Sequence, residues 1–140
     1  MAQEMSGKGD VRTFIAQETL TANAAVRIVT TTADGPWITY LNTSTGMVIG
    51  LTLRGASATG EAVPVLLSAP VGKALANASI SAGAIVGLAT DAAGRVTERA
   101  NPATVTTVMV PILGIALQSA GATGATFEVL LQPVSTRPAL

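Results

Sequence analysis

The sequence repeats itself, and the repeat limits what the chain can fold into. Residues 50–67, Gly-Leu-Thr-Leu-Arg-Gly-Ala-Ser-Ala-Thr-Gly-Glu-Ala-Val-Pro-Val-Leu-Leu, line up without a gap with residues 114–131, Gly-Ile-Ala-Leu-Gln-Ser-Ala-Gly-Ala-Thr-Gly-Ala-Thr-Phe-Glu-Val-Leu-Leu. Nine of the eighteen aligned positions are identical, among them Gly50/Gly114, Leu53/Leu117, Gly60/Gly124 and the Val-Leu-Leu endings. Upstream, Leu20–Val26 matches Ile80–Val86 at an offset of 60. Self-similarity on this scale means one supersecondary unit used twice.

The similarity divides the chain into an N-terminal arm (1–18), a first unit (19–68), a connector (69–78), a second unit (79–133) and a short tail (134–140). At 140 residues the whole is expected to be one compact domain.

Both units read as short β-strands. In each, a small-residue turn (Thr21–Ala24, Ser81–Ala84) leads into an apolar run (Ala25–Val29, Ile85–Ala89). A turn built on Asp34-Gly35-Pro36 or on Asp91-Ala-Ala-Gly94 follows, because Gly supplies positive φ and Asp bonds its own backbone. Then come Trp37–Leu41 or Arg95–Glu98, a further apolar stretch, a Gly/Ala/Thr loop, and the closing strands Ala62–Leu67 or Thr126–Leu131. Short strands punctuated in this way predict an all-β fold. It is a small β-barrel or sandwich of two pseudo-repeated units with an extended N-terminal arm. No apolar stripe at 3.6 spacing runs for a helix length. One short helix is allowed at Asn101, with Pro102 in its first turn.

Composition removes most chemistry. The chain has no Cys and no His, so disulfides, thiolate metal sites and imidazole bases are impossible. Asp34, Asp91 and Glu98 lie in or beside turns, where a structural role explains them. Ser68-Ala-Pro-Val-Gly-Lys73 has Leu67 and Ala74 where a phosphate loop needs Gly and Ser or Thr. No catalytic residue, metal site, cofactor or small-molecule substrate is expected, and the chain is read as not an enzyme.

Charge points the same way. Only 11% of residues are charged, against about 25% in an average soluble domain. Eight Lys and Arg balance eight Asp and Glu, a poor basis for holding nucleic acid. The opening ten residues are polar and give no secretory leader, and the Val108–Leu117 run is too short and too interrupted to span a membrane. A low-charge surface of Ala, Thr, Ser and Val suits contact with other protein, though Thr and Ser also simply cover a soluble sheet.

Candidate partner-binding residues are therefore few. Trp37 and Tyr40 stand three apart, which on a regular strand sends one to the core and one outward. The outward one would anchor an interface, unless both are ordinary core aromatics. The arm carries Lys8, Arg12 and Phe14. It either orders on a neighbouring subunit, with Lys8 and Arg12 pairing to acids there, or stays a loose terminus.

One group of motifs resembles a known family. Ile80-Ser-Ala-Gly-Ala-Ile-Val-Gly-Leu88, Asp91-Ala-Ala-Gly-Arg-Val96, Pro111-Ile-Leu-Gly-Ile-Ala-Leu117 and Gly124-Ala-Thr-Phe-Glu-Val-Leu-Leu131 together look like the decoration, or cement, proteins of tailed-phage capsids. The resemblance covers about Ile80 to Leu131; the first unit departs from it at Asp34-Gly35-Pro36, a tighter turn. It implies a homotrimer on the outer surface of the virion's expanded head that clamps subunits of the major capsid protein and stabilises the shell. It brings no catalytic residue. The alternatives are another virion part, such as a head fibre base or a tail-tube subunit, and, from a different class, a small hydrolase with a Ser or Thr nucleophile and Lys73 or an acid as its base.

Overall fold

The structure is a computed structural model that describes residues 10–29, 36–41, 48–89, 94–99 and 110–136. Its regular structure is β throughout. The strands are β1 (Asp10–Ala16), β2 (Ala25–Val29), β3 (Trp37–Tyr40), β4 (Val48–Thr52), β5 (Ala62–Leu75), β6 (Ile85–Leu88), β7 (Val96–Glu98), β8 (Val110–Ala116) and β9 (Thr126–Thr136). The helix allowed at Asn101 and the turns at Asp34 and Asp91 lie outside the described residues.

Strand order is β1-β3-β2-β4-β5-β9-β8-β6-β7, and β1 also pairs with β5. That extra pairing closes the first five strands into a barrel. The remaining strands curl in the same manner: Ala76, just past β5, makes a parallel bridge to Val96 on β7. It corresponds to the parallel pairing of Ala16 with Ile38 between β1 and β3.

The doubling extends to single hydrogen bonds. Leu20 bridges Ala56, and Ile80 bridges Ala120. Thr59 Oγ1 donates to the carbonyl of Gln17 at 3.1 Å, and Thr123 Oγ1 donates to that of Asn77 at 2.8 Å. Gly60 and Gly124, at φ 91° and 85°, turn the same loop in each unit. Such backbone is close to cost-free only for glycine.

Pairing also moves the unit boundaries. Phe14 opposes Val63 across β1 and β5, as Ala74 opposes Phe127 across β5 and β9. The first unit thus begins by Asp10, and residues 10–16, expected as part of an extended arm, are a barrel strand; residues 1–9 lie outside the described residues. Most of the expected connector is the second half of β5. That strand closes the first barrel and opens the second. The sequence hid this because inward positions here keep only their apolar character, not their identity.

Each barrel has a core. The first is filled by Phe14, Leu20, Val26, Ile38, Tyr40, Val63 and Val65, all buried. The second is filled by Ile80, Val86, Val96, Phe127 and Val129. Leu51 and Leu66 of the first barrel join the second core. A Cβ placed on Gly72 would stand 3.1 Å from Leu51 Cδ1, 3.3 Å from Leu66 Cδ2 and 3.8 Å from Leu131 Cδ2. The outer wall of the first barrel therefore plugs one end of the second. Gly94 completes the seam: its carbonyl accepts a 2.8 Å bond from the Ala25 amide.

Candidate interaction surface

Elementary chemistry gives the described residues little to work with. They contain no group of three or more acids that could hold a metal. Glu98 Oε1 accepts the Ser81 amide at 3.0 Å, which makes it a turn clasp. Ser68–Lys73 runs within β5, so it is a strand rather than a phosphate loop.

The residues singled out from sequence scatter. Lys8 lies outside the described residues. Arg12 is exposed on β1. Phe14 and Tyr40 are 8% and 9% exposed and belong to the first barrel's core, so in the single chain neither offers a surface to a partner. Trp37 is half-buried at the start of β3, opposite Ile15 on β1 and Val29 on β2. Its Nε1 is buried without a hydrogen-bond partner among the described residues, as is Arg27 Nε.

Tyr40 owes its place to the turn before β2. Its hydroxyl accepts the Thr21 amide at 2.9 Å. Glu18 holds the strand from the other side, accepting from the Thr39 hydroxyl and, at 3.3 Å, from the Tyr40 amide.

The exposed apolar side chains are more informative. Large ones among the described residues are Val11, Ile28, Leu53, Val71, Ile115 and Leu117. Leu53 and Val71 line a groove of about 260 Å³ at the seam, together with Leu51, Leu66, Gly72 and Lys73. Ile115 and Leu117 occupy on β8 and just beyond it the stations that Leu51 and Leu53 occupy in the first unit.

Ala25, Leu51 and Leu66 form a row across β2, β4 and β5, at 0%, 1% and 7% exposure. The equivalent row across β6, β8 and β9 is Ile85, Ile115 and Leu130. There Ile115 is 38% exposed and its two neighbours are half-buried. The same apolar row is thus fully covered in one unit and partly exposed in the other.

No family model matches the chain, and no curated protein matches it. The fold itself has a solved counterpart. It is similar to the N base of the head fibre protein gp8.5 of bacteriophage phi29, with a TM-score of 0.67. The match covers 88% of this chain and 93% of the gp8.5 N base, at 14% sequence identity. At that identity the two share a fold.

The open row escaped sequence reasoning. Ile115 and Leu130 look as internal as Leu51 and Leu66, because all four are apolar at matching repeat positions. Only the packing of one barrel on the other distinguishes them.

Proposed function

We propose that this chain is a structural, non-enzymatic subunit of a tailed-phage virion, placed on the outer surface of the head and bound there to the major capsid protein as a homotrimer. The observation that carries this reading is the fold similarity to the phi29 head fibre base, which spans nearly all of both chains. The decoration-type motifs between Ile80 and Leu131 support the same location from the sequence side. The fold similarity supports a virion structural part, and a head fibre base fits it as well as a decoration protein does.

The chemistry suits such a role. A symmetric assembly meets several shell subunits at once, and linked weak contacts gain on the order of 10²–10⁴ in avidity. Few charged groups need to lose water on docking, which limits the desolvation cost. With no His or Cys, and with Glu98 engaged at a turn, a proton-transfer site has little to be built from.

The test is sedimentation with purified, undecorated expanded heads. The protein is expected to pellet with expanded heads at micromolar concentration and to ignore unexpanded precursors. Absence from the pellet would overturn the proposal. Images of the coated particles then separate the two forms, by whether or not a fibre projects from the bound protein.

A further inference from the structure

We propose that the Ile85–Ile115–Leu130 row is a docking face for the first barrel of a second copy of this chain, so that copies join head to tail. The inference rests on the internal repeat and stands whether or not the protein belongs to a virion.

The chain contains one worked example of the joint. In it, the Ala25–Leu51–Leu66 row is buried by the open end of the second barrel, where Gly72, Leu113 and Leu131 converge. In the second barrel the equivalent row, Ile85–Ile115–Leu130, is less covered among the described residues: Ile115 stands 38% exposed, and Ile85 and Leu130 are half-buried. The first barrel in turn has an end equivalent to Gly72, Leu113 and Leu131. It is formed by Arg12, Ile49 and Leu67, of which Arg12 is exposed and the other two are half-buried. One chain therefore carries both halves of the joint, each only partly covered. Interfaces of this kind are heterologous, and they close into rings when the rotation per step allows.

The exposed apolar residues agree with this reading. Leu53 and Val71 border the groove at the seam within the chain. Leu117 and Val11 are their repeat equivalents, and both are 44% exposed. Across a joint between copies, Leu117 of one chain and Val11 of the next would border the same groove. Together with Ile115, that accounts for five of the six exposed large apolar residues among the described residues.

Polar residues mark where the two joints differ. Gly72 approaches Leu51 too closely for any side chain to be added without movement. Arg12 occupies its station in the first barrel, so the joint between copies is wider there. Glu128 lies two residues from Leu130 on β9, about 7 Å along the same face, in the position held by Pro64 in the first unit. An Arg12 side chain seated over the open row reaches that carboxylate. Lys73, the cross-strand partner of Glu128, flanks it.

The test uses the full chain and measures mass in solution, by light scattering behind size exclusion. The wild type is expected to run as a closed oligomer of the 14.0 kDa chain. Ile115→Glu breaks the row, and Arg12→Glu breaks the barrel end. Each is expected to weaken association at least tenfold and leave a monomer with unchanged melting temperature. Leu117→Glu and Val11→Glu are second choices at the two sites should either variant misfold. The decisive sample is the mixture of Ile115→Glu with Arg12→Glu. One intact joint remains between the two chains, so a dimer of twice the chain mass should form. A monomeric wild type at about 100 µM, variants that assemble like the wild type, or a mixture that stays monomeric would each overturn the inference. Pelleting with heads is a separate readout: an oligomer that ignores heads sinks only the virion reading.

Discussion

Phe14 faces Val63 across β1 and β5, and both side chains are buried. The equivalent pair in the second barrel is Ala74 and Phe127. Each barrel therefore holds one phenyl ring at this level, donated from opposite walls. Each core sets a phenyl ring opposite a smaller apolar side chain, in reversed order.

That reversal predicts a rescue. Phe14→Ala is expected to cost about 3–5 kcal/mol, because it leaves a cavity in a closed barrel. Val63→Phe alone overpacks the site and costs about 1–3 kcal/mol. The double variant reproduces the second barrel's arrangement and should be markedly more stable than Phe14→Ala. Denaturant unfolding of all four proteins measures the coupling. A double variant no better than the sum of the singles would show that the two barrels are not packed by the same rule.

Gly94 is the point where the second unit's turn touches the first barrel. Its φ is 75°, and a Cβ there would lie 2.6 Å from Ala24 Cβ and 2.7 Å from Tyr40 Cδ1. Gly60 also has positive φ, at 91°, but a Cβ there meets nothing within 4 Å. Gly60→Ala is thus expected to cost only the left-handed backbone penalty of about 1–2 kcal/mol. Gly94→Ala adds overpacking of about 1–3 kcal/mol and pushes the barrels apart. Equal melting temperatures for the two variants would refute the seam's tight fit.

Much of this architecture was legible in the sequence, and the missing parts share a cause. The Gly50–Leu67 and Gly114–Leu131 match announced two β units, and turn residues placed most strand ends. The repeat stopped at Leu20 because the preceding strand's inward residues, Phe14 and Ala16, map onto Ala74 and Ala76, where only the second pair is identical. Compensation from the facing strand erases the similarity that an alignment detects. The role of Tyr40 was hidden differently: its partner, the Thr21 amide, lies 19 residues away and leaves no sequence mark. The candidate surface was the least legible part, since Ile115 and Leu51 differ in what packs on them and not in kind.

The Thr21 amide bonds to the Tyr40 hydroxyl at 2.9 Å, and the equivalent Ser81 amide bonds to Glu98 Oε1 at 3.0 Å. Two different side chains thus clasp the same turn. Tyr40→Phe removes the acceptor in a partly buried place and should cost about 1–3 kcal/mol. Glu98→Gln keeps an amide oxygen within reach of an exposed turn and should be close to neutral. Hydrogen exchange at the Thr21 amide is expected to quicken in Tyr40→Phe, and protection unchanged from wild type would refute the clasp.

Ser57 and Glu61 close the loop after β4 in the first unit only. The Ser57 hydroxyl and amide both donate to Glu61 Oε2, at 2.8 and 3.0 Å. The second unit has Gly121 and Ala125 at these stations. These donors favour the charged carboxylate, chiefly the Ser57 hydroxyl and then its amide, and hold the Glu61 pKa below the usual carboxylate range. The folded pKa is depressed, so the loop's stabilisation is present above the unfolded pKa and fades as pH falls through the folded one. A carboxyl-detected NMR titration should find the Glu61 midpoint low in the wild type and raised towards the ordinary value in Ser57→Ala. An identical midpoint in both proteins would mean that the latch does not persist in solution. The loss is expected to stay local, because Glu61 is on the surface and the second unit's loop keeps its shape without any such pair.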